Sequence, residues 1–113
     1  MSDLSTMTEG EMMLTLVLRA LQSRDAESNE LAAECLTRKG TPLVPVLVRE
    51  ALNTKNKPDY RTRVLNVVAR IGPPYGEAML DFPILLRTPN KAVREAARDL
   101  FGFTMMGFGA NGK

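Results

Sequence analysis

Eight basic side chains in the second half of this chain are spaced so that they could grip an anion. Arg61, Arg63 and Arg70 fall within one short stretch, Lys91, Arg94 and Arg98 within another, and Lys55 and Lys57 just precede the first. Clustered guanidinium and ammonium groups hold the phosphates of a nucleic acid or the carboxylates of an acidic partner. Asp59, Glu95 and Asp99 dilute the field, whereas a nucleic-acid footprint is ordinarily a stripe of one sign. Trp is absent, and the six Phe and Tyr residues are not interleaved with the basic ones as a base-stacking platform requires.

Other chemistry is sparsely represented. Glu30 with Glu34, and Glu95 with Asp99, are carboxylate pairs at i,i+4. An acid–base site would need such a pair in a cleft with shifted pKa values. On an amphipathic helix they belong instead to a solvated face, with Glu34 near Arg38 and Glu95 near Arg98 as weak helix pairs. There is no His, which removes the commonest general base and the usual metal ligand. A single cysteine and no His leave no zinc spacing and no internal disulfide. Gly107-Phe108-Gly109 lacks the strand–helix context of a phosphate loop. The inventory nominates no catalytic residue, no metal ligand and no cofactor, so the expected class is a binding protein and not an enzyme.

The elements that position these residues are announced by a repeat. With Ser28, Tyr60 and Val93 in register, 32 and 33 residues apart, counting on by 3, 4, 7, 8 and 11 reaches mostly apolar residues in each copy. These are Leu31, Ala32, Cys35, Leu36 and Lys39; then Arg63, Val64, Val67, Val68 and Ile71; then Ala96, Ala97, Leu100, Phe101 and Thr104. Those offsets trace one face of an α-helix, and self-similarity at this period signals stacked helical repeats. The expected core is Leu31, Cys35, Leu36, Val64, Val67, Val68, Ile71, Ala97, Leu100 and Phe101, with Cys35 as a buried small hydrophobe. Arg63 interrupts the stripe, and its charge must reach solvent or a carboxylate. A second phrase alternates with the first: Leu16 to Ser23 matches Leu47 to Thr54, and Val44-Pro45-Val46-Leu47-Val48 is echoed by Phe82-Pro83-Ile84-Leu85-Leu86.

Punctuation agrees with the repeat and predicts six helices near 9–23, 26–39, 42–54, 59–71, 74–87 and 90–104. Thr8 and Glu11 can form a capping box. Asp25, Asp59 and Asn90 stand where a helix start wants an acceptor. Gly40 and Gly72 suit helix ends, and Thr41-Pro42 suits a helix start. Pro45 falls in a first turn and is tolerated, whereas Pro83 should kink or split its helix. Lys55-Asn56-Lys57-Pro58 reads as a flexible polar loop, and the glycine-rich tail as disordered unless a partner fixes it.

With 113 residues the chain is expected to form one domain, with a flexible start at 1–8, repeats over 9–104 and a tail at 105–113. Charge is uneven: residues 1–37 hold seven acids and two arginines, net −5, and residues 38–113 hold thirteen basic residues and six acids, net +7. Such polarity favours head-to-tail contacts or an acidic partner. No signal peptide is evident, and the apolar run Met12 to Leu18 is far short of a membrane span, so a cytoplasmic location is expected.

Two segments carry a family resemblance. Ala92-Val93-Arg94-Glu95-Ala96-Ala97-Arg98-Asp99-Leu100-Phe101-Gly102 resembles the first-helix signature of HEAT-repeat proteins, and Gly40 to Leu52 resembles the turn and second helix of that family. The resemblance covers about residues 12–104 and implies an all-α, HEAT-like α-solenoid of about six antiparallel helices, roughly three hairpin repeats. It also implies that Arg61 and Arg94 hold a structural arginine position, where the first copy has Asn29. The family's second helices line a concave side, which makes Arg49, Glu50, Asn53 and Arg87 the candidates to face a partner. The expected function is a protein-interaction or scaffold module. The alternative is nucleic-acid binding through Arg61, Arg63, Arg70, Arg94 and Arg98. Finally, Phe103, Met105, Met106 and Phe108 form an apolar cluster beyond the last repeat phrase, a candidate contact for a partner or for a second copy in a homodimer.

Overall fold

The computed structural model describes residues 8–100, and the described residues form helices and turns with no strand. The order is α1 (Glu9–Gln22), α2 (Ala26–Lys39), α3 (Val44–Leu52), α4 (Pro58–Ile71), α5 (Phe82–Leu86) and α6, helical over 91–100. Short 3-10 turns at Thr41–Leu43 and Gly76–Asp81 lead into α3 and α5.

Local chemistry explains the boundaries. Thr8 Oγ1 accepts from the Glu11 amide at 3.1 Å and Glu11 Oε1 accepts from the Thr8 amide at 2.9 Å, closing a capping box on α1. Asp25 accepts from both the amide and the hydroxyl of Ser28, at 2.9 and 2.7 Å, which holds its carboxyl below the usual range. Asn90 Oδ1 accepts from the Val93 amide at 3.0 Å. Gly40 and Gly72 end α2 and α4 at φ values of 80° and 78°, where any side chain would be strained.

Asp59 is not the cap it was expected to be. Pro58 starts α4 one residue earlier, since it lacks the amide that would need capping, and Asp59 falls inside the first turn. Pro83 splits its segment as expected: the chain runs as a 3-10 turn to Asp81, and α5 restarts at Phe82 with the proline in its first turn. The Lys55–Pro58 connection is tied rather than loose. Asn56 Nδ2 donates to the Glu50 carbonyl at 2.9 Å, and Asn53 Oδ1 accepts from the Lys55 amide at 3.0 Å.

Helix α1 packs on α2 and α3 on α4, while α4 also meets both α1 and α2, and α5 with its 3-10 turn lies against α3. One core runs through all of them, with Leu21, Leu36, Leu47, Val64, Val67, Val68, Phe82, Leu85, Val93, Ala97 and Leu100 buried. Each such Leu or Val stabilises the fold by roughly 1.5–3 kcal/mol.

Two expected core residues behave otherwise. Leu31 is 63% exposed and Cys35 is only half-buried, because in α2 the packing face is centred on Ala32, Ala33 and Leu36. Ile71 is half-buried against the core edge, and Phe101 lies outside the described residues. The expected pairs of Glu34 with Arg38 and Glu95 with Arg98 do not form within 4.0 Å. Glu30 instead reaches across to Arg70 of α4 at 3.1 Å, where two helices bring opposite charges together.

Candidate functional site

The last carbonyls of a helix have no partner within it and must find donors elsewhere. Asn29 and Arg61, each one residue after a register anchor, supply such donors to the end of the preceding helix, and Arg94 at the equivalent position donates to the turn beyond α5. Asn29 Nδ2 reaches the carbonyls of Ala20, Leu21 and Ser23 at 2.9, 3.1 and 2.8 Å. Arg61 Nε reaches that of Ala51 at 2.6 Å, and Arg94 Nη1 those of Thr88 and Pro89 at 3.0 and 3.3 Å. Asn29, which breaks the arginine pattern in sequence, therefore performs the same task with a shorter side chain. Arg63 finds neither solvent alone nor a carboxylate: its Nη1 donates to the carbonyls of Leu21 and Ser23, at 3.0 and 3.3 Å.

The Arg63 bonds tie the second hairpin tip to the first, and clefts open between neighbouring tips. The first, about 370 Å³, lies between Gln22 and Arg24 of one tip and Lys55, Lys57, Tyr60 and Arg63 of the next. The second, about 290 Å³, lies between Leu52 and Thr54 on one side and Ile84, Arg87, Thr88 and Pro89 on the other, with Arg61 among its lining residues. Arg24, Lys55, Lys57, Arg87 and Lys91 are exposed at these tips, against the carboxylates of Asp25 and Asp59. The tips thus form a polar edge with an excess of positive charge.

Arg61 is unusual among these groups. It is 5% exposed, its second contact is Thr88 Oγ1 at 3.4 Å, and no carboxylate among the described residues lies within 4.0 Å of it. Burial lowers its pKa from the ordinary guanidinium value, yet an arginine remains charged in proteins. Beside it Tyr60 donates its hydroxyl to Glu50 Oε1 at 2.6 Å, and burial, then that carboxylate, raise the phenol above its ordinary value.

The residues nominated from sequence are dispersed. Arg49 and Asn53 are exposed on and just after α3, Glu50 is half-buried with its carboxylate held by Tyr60, and Arg87 stands at the rim of the second cleft. Of the five arginines of the nucleic-acid alternative, Arg61, Arg63 and Arg94 bond backbone carbonyls and Arg70 is paired bidentately with Glu30 at 3.1 and 3.2 Å. Arg98 is exposed. Phe103, Met105, Met106 and Phe108 lie outside the described residues. Leu52, Ile84 and Thr88 of the second cleft were not nominated, although the echo of Val44–Val48 in Phe82–Leu86 marks the two segments as equivalent.

A different surface lies on the outer side of α1 and α2. Met13, Leu14, Val17, Cys35, Leu36 and Leu43 line a groove of about 480 Å³, and Leu16 and Leu31 are exposed on the same two helices. Among the described residues no group of three His, Cys, Asp or Glu gathers that could hold a metal ion. No described helix is long and apolar enough to cross a membrane. Comparison with family profiles, curated proteins and solved structures finds no match to this chain.

Proposed function

We propose that this chain is a non-catalytic, HEAT-like α-solenoid module of three hairpin repeats that binds a protein partner along the edge made by its hairpin tips. One observation carries the reading: Asn29, Arg61 and Arg94 occupy equivalent sequence positions, and each donates to backbone carbonyls at the close of the preceding helix or in the turn just after it. Stacked repeats present equivalent positions in a row, which is how such folds build an extended binding surface. The edge includes Asn53 and Arg87, two of the positions that the family resemblance nominates, and its exposed cations suit an acidic partner in the cytoplasm. The terminal apolar residues Phe103, Met105, Met106 and Phe108 would extend that contact or pair two copies.

The nucleic-acid reading draws less support. Arg63, Arg70 and Arg94 are engaged within the protein and Arg61 is buried, and Tyr60, Tyr75 and Phe82 are buried too, so no described aromatic ring is offered for base stacking.

The test compares proteins retained from cytoplasmic extract by the parent and by Lys55→Glu/Lys57→Glu/Arg87→Glu, with and without nuclease, at matched stability. A nuclease-resistant partner held by the parent and lost by the triple variant supports the reading. Retention that vanishes with nuclease favours the alternative, and retention unaffected by charge reversal moves the interface off this edge.

A further inference from the structure

We propose that the cleft between the second and third hairpin tips is a receptor for the free carboxyl terminus of a partner protein ending in an aliphatic residue. The proposal rests on the protein-binding reading above and gives it a ligand chemistry. It starts from Arg61. A charge taken out of water is expensive unless it meets an opposite charge, and Arg61, 5% exposed, has one carbonyl and one hydroxyl as its acceptors among the described residues. Nε and Nη2 make those contacts, which leaves Nη1 for an incoming acceptor in a cleft the residue itself lines.

The rest of the cleft completes a carboxylate site with an apolar neighbour. Arg87 stands exposed at the rim and adds a second positive charge, and Thr88 adds a hydroxyl. Leu52, Ile84 and Pro89 form an apolar wall, in which Ile84 is 57% exposed despite its size. A chain terminus offers both complements within one residue: a carboxylate for the two guanidinium groups and an aliphatic side chain for the wall. At about 290 Å³ the space suits one or two residues rather than a folded element. A polyanion fits less well, since one face is apolar and the charged face holds only two cations. The first cleft, lined by Arg24, Lys55, Lys57 and Arg63, lacks such a wall.

The decisive measurement is an amide NMR titration of the full chain with four probes: N-acetyl-leucine, N-acetyl-leucinamide, octanoate and inorganic phosphate. N-acetyl-leucine is expected to give saturable shifts at Ile84, Thr88 and the Arg61 Nε–H, and to bind at least about tenfold tighter than the amide, for which the charge-assisted contact is missing. Arg87→Glu and Ile84→Asp, both at exposed positions, should each weaken it about tenfold while leaving the spectrum folded. Equal binding of acid and amide overturns the proposal. So does octanoate as the tightest probe, which would make the ligand a free fatty acid, or phosphate alone saturating the same resonances, which would make it a simple anion. Failure here, with partner capture still lost on charge reversal of the edge, would remove the carboxylate site and leave the interaction reading standing.

Discussion

In α2 the position three residues after the register anchor holds Leu31, and it is 63% exposed; in α4 the same position holds Arg63, half-buried with its guanidinium on the carbonyls that end α1. Four residues further on, Cys35 is half-buried while Val67 is 1% exposed. The two helices share a pattern of positions and differ in what lies beside them. This face of α4 looks back at the first hairpin, whereas nothing described covers the same face of α2. A leucine is therefore left in water and an arginine is drawn inward. Burial here is decided by what packs alongside as much as by residue type, and the groove beside Met13 and Cys35 is the surface that results.

The largest test of this contrast lies on the face that both helices bury. Val68, fully buried in α4, should not tolerate Val68→Asp: an unpaired carboxylate in the core costs at least about 4 kcal/mol, enough to abolish cooperative melting in a small domain. A variant melting within a few degrees of the parent would show that the register is misread. Next come Leu47→Ala and Leu85→Ala, two residues after the equivalent prolines Pro45 and Pro83. Each should lose about 2–5 kcal/mol in urea unfolding. A much smaller loss at Leu85 would mean that the third hairpin unfolds apart from the first two.

Arg61→Ala should cost about 2 kcal/mol, through an orphaned Ala51 carbonyl, and Arg94→Ala about half as much because its site is wetter. Equal losses would place the two arginines in equivalent surroundings. Arg70→Ala should have a small effect that weakens with salt, since the pair with Glu30 is exposed. The pair holds the Glu30 carboxyl below its ordinary value of 4.5. Its contribution is thus fully present above that value and lost as the pH falls through the lower folded value. The penalty of the mutation should accordingly shrink on acidification below about pH 4.5; a penalty constant down to pH 2 would exclude the pair as its source. Smallest of all, Leu31→Glu should alter stability by no more than about 0.5 kcal/mol, despite replacing a leucine within an apparent core stripe. A larger loss in unfolding would mean that something covers this face.

Much of the local structure was legible because its causes are local. Thr8 with Glu11, Asp25, Asn90, Gly40 and Gly72 act through bonds or backbone angles spanning a few residues, and all were readable from spacing. Asp59 was misplaced because a proline at a helix start competes with a capping side chain, and spacing alone does not rank them. Glu50 was nominated as a partner contact and turned out to hold the Tyr60 hydroxyl, since nothing in the order of residues says which face of α3 meets α4. The second cleft was hidden for the same reason: Leu52, Arg61 and Ile84 come from three elements and meet only once α3, α4 and α5 pack together.

By itself the sequence determined that the described chain is helical, several of its helix ends, and which positions recur in the repeat, because periodicity and capping chemistry act over one or two turns. Tertiary structure alone decided which copy of a recurring position is covered. Leu31, Arg63 and Ala96 are one position in the repeat, yet Leu31 is exposed while Arg63 and Ala96 are half-buried. The physical reason is that burial depends on the neighbour across the interface, and the outer face of the first hairpin has none among the described residues.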